Sequence, residues 1–263
     1  MLKSSNFLVG LVSLFVLIGS FTANAQLINN PKASLSLALK STGGTNASGI
    51  TYDPSRQLYY TVVAGNSEFP LEVFKSSGKL LYSGTAGNDL RGIWWNTKTQ
   101  SLEGNCYDEG GIVKIGLSDN GSTSIGNTTI FEGSHQPHGN TCGVYDSKKK
   151  EIYYYSGGSI HVYKRKTGAF SKKVNPDLTL NEKRAINTTS MIFTGIKKSE
   201  LGLLDYEARK VYLFNKKTGE KTATINLPYD APVDDSFLFG YANGHVFLYD
   251  KGSRTWWGYK ITE

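Results

Sequence analysis

The sequence predicts an all-β fold, a β-propeller of five four-stranded blades with six as the alternative. Three observations carry this. Glycine (29 residues), Tyr (16) and Phe (12) are abundant while Pro is scarce (7), which suits short strands joined by tight turns. One strand pattern recurs along the chain, and its anchor glycines, Gly49, Gly92, Gly143 and Gly195, stand 43, 51 and 52 residues apart, about one blade each. With 39% hydrophobic and 19% charged residues, the chain is too apolar for disorder. Two cysteines are too few for a disulfide-dense scaffold or a multi-zinc module.

Residues 1–25 read as a cleaved signal peptide. Lys3 precedes an apolar run from Phe7 to Phe21, and Ala23-Asn24-Ala25 follows. The run of about 15 residues is short of the roughly 20 that span a bilayer. Gln26 stands where a lipoprotein needs Cys, and no later stretch reaches transmembrane length. The expectation is an exported, soluble protein, periplasmic or extracellular, with a short leader at 26–32 and one propeller domain at 33–263. Loss of Lys3 lowers the formal charge of +7 by one. The remaining basic residues form doublets and triplets at turns, such as Lys148-Lys149-Lys150 and Lys197-Lys198. That dispersion reads as a diffuse rim, with no nucleic-acid partner expected. An anionic glycan or surface polymer stays open.

Each repeat holds a small-residue turn, an apolar strand ending in Asp or Asn, two aromatic strands, and a turn into a last strand. The first copy reads ASGITYD at 47–53, LYYTVVAG at 58–65, LEVFKSSG at 71–78 and KLLYSG at 79–84. The second runs from LRGIWWN at 90–96 to a strand near 123–131, and the third from TCGVYD at 141–146 to about 169–174. The fourth runs from SMIFTG at 190–195 to EKTATINL at 220–227. A sixth, degenerate unit could only hide at 173–190; Pro176–Arg184 reads instead as a surface loop with a helical turn. The fifth unit has SFLFGYANG at 236–244, HVFLYDKGS at 245–253 and WWGYKIT at 256–262, but only APVDDS at 231–236 for an inner strand. ASLSLALKS at 33–41 alternates like a half-buried strand and has no partner of its own. It is expected to join the last blade and close the ring, which removes free sheet edges.

The strand pattern, and the Pro-x-Gly-x₄-Val-Tyr-Asp stretch from Pro137 to Asp146, resemble the NHL-repeat and gluconolactonase-like group of β-propellers. The resemblance implies a ring of blades with a ligand funnel at one mouth. A lactonase-like site would further need a divalent metal held by one Glu or Asp, two Asn and an Asp. The chain offers Asn46, Asn140 and Asp234 or Asp235, but no Glu opens the first blade.

In a propeller the loops entering the inner strands converge at one mouth. Here they are polar, and Asn46, Asp89, Arg91, Gln136, His138, Asn140, Asp234 and Asp235 are the candidate ligand contacts. Asn, Asp, Ser and Gly, which dominate these loops, are also ordinary turn formers. His135 and His138 beside a carboxylate would make an open metal site, but their spacing matches no zinc signature, so no metal is assigned. Cys106 and Cys142, in adjacent blades of an exported chain, are expected to form a disulfide, with buried free thiols as the alternative. Asp89, Asp108, Glu109, Asp205, Asp234 and Asp235 could supply a glycosidase-like pair, whereas strand-end Asp53, Asp146 and Asp250 recur in register and read as structural. Trp94-Trp95 and Trp256-Trp257 read as packing between blades, with sugar stacking as the alternative. The function expected is recognition of a small molecule, glycan or protein at the funnel. A lactonase-like or glycosidase-like hydrolase and a structural envelope protein are the alternatives.

Overall fold

The computed structural model describes residues 26–42, 44, 46–65 and 67–262; the signal-peptide reading of 1–25 lies outside them. After strand β1 (Ala33–Ala38), blade 1 comprises β2 (Asn46–Asp53), β3 (Leu58–Ala64), β4 (Pro70–Lys75) and β5 (Leu80–Thr85). Blade 2 has β6 (Leu90–Asn96), β7 (Ser101–Cys106), β8 (Ile112–Leu117) and β9 (Ser124–Phe131). Blade 3 has β10 (Val144–Asp146), β11 (Glu151–Ser156), β12 (Ser159–Lys164) and β13 (Phe170–Val174). A short helix α1 (Leu180–Arg184), opened by a capping box between Thr179 and Glu182, leads to blade 4. That blade has β14 (Ile192–Phe193), β15 (Leu201–Asp205), β16 (Lys210–Phe214) and β17 (Lys221–Asn226). Blade 5 has β18 (Phe239–Ala242), β19 (His245–Asp250) and β20 (Thr255–Lys260), with β1 paired antiparallel to β20 as its outermost strand. The inner strands β2, β6, β10, β14 and β18 contact one another in turn and return to β2, so the ring is closed.

Two details differ from the repeat read in the sequence. The fifth unit is shifted by one position: Phe239–Ala242, expected as a second strand, is innermost. Because β1 supplies the outermost strand, the sheet is complete without APVDDS, which remains a connection. Gly195 is not an inner-strand glycine but stands in the turn after β14 with φ 71°. The other anchors do mark one position. A Cβ on Gly49 would lie 2.9 Å from Ile93 Cγ2, and one on Gly92 2.4 Å from the Gly143 carbonyl oxygen. Inner strands approach so closely near the axis that no side chain fits between them.

Successive residues of a strand face opposite sides, so each middle strand is buried by the blade before it and the blade after it. Tyr59 packs toward Phe247 of blade 5 while Tyr60 stacks on Trp95 of blade 2. Trp94 turns the other way, to Tyr145 of blade 3. Trp256 packs in the core between blades 5 and 1, and its indole donates to Thr61 Oγ1 at 2.7 Å. This alternation explains why strands such as LYYTVVA are apolar throughout.

The same alternation overturns the expected disulfide. Asn105 faces blade 3 and accepts the Gly143 N–H at 2.9 Å, so its neighbour Cys106 faces blade 1. Cys142 joins a different core cluster, and both cysteines are free and buried. Burial pushes each thiol up to about 12.

Ring closure has its own fastening. Buried Glu72 on β4 accepts the backbone N–H groups of Lys40 and Ser41, the residues that follow Leu39 beyond β1. Leu37 of β1 is fully buried against blade 1. Leu27 bridges to Thr262, tying the leader to the chain end.

Candidate functional site

Strand direction assigns every connection to one end of the channel. Inner strands start at the end where blade-to-blade loops arrive, here the entry end, together with the turns between second and third strands. They finish at the exit end, with the turns between first and second and between third and fourth strands.

At the entry end the loops bond to one another around the whole ring. Ser48 Oγ donates to the Leu90 carbonyl at 3.0 Å, and Arg91 Nε to Asn140 Oδ1 at 3.1 Å. The Cys142 N–H donates to the Thr189 carbonyl at 2.8 Å and the Thr188 N–H to the Asp235 carbonyl at 2.7 Å. The Leu238 N–H donates to the Ala47 carbonyl at 2.9 Å and completes the belt. Each bond joins adjacent blades, and four of the five satisfy a backbone N–H or C=O that would otherwise lose its hydrogen bond to water.

The eight candidate contacts all fall in or beside this belt. Arg91, 5% exposed, lies over the Tyr107 ring at 4.5 Å and is ion-paired with Asp89. Gln136 is buried, donates to the carbonyls of Cys106, Asp108 and Gly139, and accepts from Asn105. Asp234 is paired with Lys251 at 2.8 Å. Asn46 opens β2 and is half-buried; His138 and Asp235 are exposed. Thus Asp89, Arg91 and Asn140 meet, while Asp234 is engaged elsewhere. The donor set that a lactonase-like metal would require does not fit here, since the Arg91 guanidinium occupies Asn140 Oδ1. Among the described residues, no three His, Cys, Asp or Glu side chains are grouped to hold a metal ion. Asp205 lies in blade 4, where Asp205 accepts from Tyr212 Oη at 2.9 Å and the Ala208 N–H at 2.8 Å. His135 is wholly buried, with Nδ1 on the Gly133 carbonyl, and burial holds its pKa below the ordinary imidazole value.

The channel itself holds a cavity of about 310 Å³. All five blades line it, and each contributes an aromatic ring: Tyr52, Trp94, Tyr145, Phe193 and Tyr241. None of the eight candidate contacts is among its lining residues. Toward the entry end the lining is buried, at Ser48 and Cys142; toward the exit end it is exposed, at Pro54, Thr97 and Asn243. The cavity is floored by the belt and opens at the exit end. Sequence reasoning missed these rings as a set, although the signal was present: each inner strand ends on an aromatic, in ITYD, WWN, VYD, IFTG and GYAN.

A buried polar cluster fixes one wall. Glu103 on β7 has no exposed surface and takes Arg165 from blade 3 in a two-bond pair, Nε and Nη2 each at 2.5 Å. The same carboxylate accepts the Trp94 indole N–H at 3.0 Å, Asn96 Nδ2 at 3.0 Å and Ser101 Oγ at 2.9 Å. Trp94 is therefore held in the channel wall by a hydrogen bond as well as by its ring contact with Tyr145. The exit-end turns are closed by the strand-end acids: Asp53 and Asp146 each accept the N–H two residues on at 2.8 Å. At the entry end, Asp250 does the same.

No family model and no curated protein matches the sequence. Among solved structures, a glutaminyl cyclase from Myxococcus xanthus superposes with a TM-score of 0.52 at 12% identity, covering 89% of this chain and 99% of that one. The structure of a nidogen/laminin complex gives a TM-score of 0.45 at 13% identity, covering 78% of this chain and 72% of that one. At 12% identity the likeness to the cyclase is one of fold, and it agrees with the propeller seen here.

Proposed function

We propose that this protein is a recognition propeller that takes a small molecule into its central channel from the exit end. The observation that carries this is the cavity of about 310 Å³, walled by at least one aromatic from every blade and closed below by the belt. That volume is at the lower edge of the usual range for ligand sites, and a mostly apolar wall with a few polar groups is their usual chemistry. The polar groups are Thr97 and Ser147, whose hydroxyls lie 2.9 Å apart at the rim, and Asn243, which donates to Tyr59 Oη at 3.1 Å. The belt residues Asp89, Arg91 and Asn140 act from beneath, keeping the floor shut and polar. With residues 1–25 read as an export signal, the ligand is met outside the cytoplasm.

The test uses the neutral dye N-phenyl-1-naphthylamine, whose fluorescence rises in an apolar site, with the chain lacking residues 1–25. Saturable binding by the wild type, lost in Thr97→Trp, is the expected result. Thr97 is exposed at the rim, so its replacement obstructs the opening without entering the core. Absence of saturable binding, or binding unchanged in Thr97→Trp, would refute the reading.

A further inference from the structure

Charge is divided between the two ends. The exit-end turns carry Lys98 in blade 2, Lys148, Lys149 and Lys150 in blade 3, and Lys197 and Lys198 in blade 4. None of these six takes part in an ion pair among the described residues. The carboxylates nearest the channel at this end already have cations: Asp53 has Arg56, Asp146 has Lys216, Glu103 has Arg165 and Glu151 has Lys164. Asp119, Glu200 and Glu220 are the remaining acids in these turns. Glu200 is turned to the Lys216 N–H at 3.3 Å. The entry-end loops and turns hold more acids than bases: Glu68, Asp108, Glu109, Asp230 and Asp235 are among the acids, beside cations that include Arg91, Lys183, Arg184, Arg209, Lys251 and Arg254. Arg91 and Lys251 are ion-paired.

A second cavity, about 700 Å³, lies at the exit end between blades 4 and 5. Lys197, Lys198, Thr194, Ser199 and Thr262 line it, and Tyr241 is common to it and the channel. The basic groove therefore runs up to the aromatic channel. A low-dielectric cleft rimmed by one sign of charge concentrates ions of the opposite sign.

Resting on the channel reading above, we infer that the ligand is an apolar molecule with a single anionic group, an aryl or alkyl sulfonate, carboxylate or phosphate. Its apolar part enters the ring of aromatics and its anionic group lies in the groove with Lys197 and Lys198. The belt end offers no such fit, because Arg91, its one buried cation among the described residues, is already paired with Asp89.

The test compares two dyes of one skeleton, 8-anilinonaphthalene-1-sulfonate and the neutral N-phenyl-1-naphthylamine. The sulfonate is expected to bind about tenfold more tightly at low salt, an advantage that shrinks as ionic strength rises. The double variant Lys197→Gln/Lys198→Gln is expected to remove most of that advantage and leave the neutral dye unchanged. Equal affinity of the two dyes, or a sulfonate preference indifferent to both salt and the lysine changes, overturns the inference while the channel reading stands. Failure of both dyes to bind sinks the channel reading and this inference with it. Sedimentation with phosphatidylglycerol vesicles, without binding of the free sulfonate, would replace the small ligand by a membrane surface and also overturn it.

Discussion

Arg165→Met should be among the most destabilising single changes outside the apolar core. Among the described residues Arg165 is the only cation paired with Glu103, and it approaches through both oxygens at 2.5 Å. Removing it leaves a carboxylate with no exposed surface and no countercharge. Breaking a buried pair in this way costs about 3–5 kcal/mol. For a domain of this size that is a fall in Tm on the order of 6–20 °C. Trp94, Asn96 and Ser101 still donate to Glu103, which places the expectation toward the lower end of the range. Glu103→Gln leaves Arg165 able to reach water and should cost less, about 1–3 kcal/mol. The pair change Glu103→Leu/Arg165→Met should recover part of the loss, since an apolar replacement of a buried pair is often near neutral. Urea unfolding followed by tryptophan fluorescence measures all three. A cost below about 1 kcal/mol for Arg165→Met is the value of an exposed surface pair. It would refute the claim that this cluster holds the channel wall.

Four further outcomes follow. Gly92→Ala places a Cβ 2.4 Å from the Gly143 carbonyl oxygen, so backbone must move; a loss of about 1–3 kcal/mol by urea unfolding is expected. Leu37→Ala removes a fully buried side chain from the closure strand and should cost about 2–5 kcal/mol, with a steeper effect on Tm than any exposed β1 change. His135, His161 and His245 are all held below the ordinary imidazole value, first by burial. The unfolded chain then binds more protons, so stability present above pH 6.5 should be lost as pH falls below it, and His135→Gln should reduce that slope in pH-dependent melts. Cys106 and Cys142 should react with a thiol reagent only after denaturation, and dithiothreitol should leave Tm unchanged, because both are buried free thiols held protonated.

The blades were legible because a propeller repeats its physics. Close approach at the axis requires glycine at Gly49, Gly92 and Gly143, and burial on both faces requires the apolar runs LYYTVVA and EIYYYS; both leave marks in sequence. The fifth blade misled for a local reason. FLFGYA is aromatic enough for a second strand, and only pairing of β1 with β20 reveals it as the innermost. The disulfide failed on alternation: Asn105 and Cys106 are neighbours in sequence and face opposite blades. Polar entry loops are read equally well as ligand contacts or as mutual hydrogen-bond partners, and sequence has no term that separates the two. Here the belt bonds, such as Arg91 to Asn140, show partnership across blades 49 residues apart. The Glu103–Arg165 pair spans 62 residues and belongs to no motif, so no local pattern announced it.

The central claim is that the channel is open at the basic exit end and shut by the belt. Titrating N-phenyl-1-naphthylamine into two sets of variants tests it most directly: Thr97→Trp and Ser147→Trp at the exit rim, His138→Trp and Asp235→Trp at the entry loops. Loss of binding in the first pair with wild-type affinity in the second is the expected result. Loss in the second pair, with binding kept in the first, would place the opening among the entry loops and contradict the account.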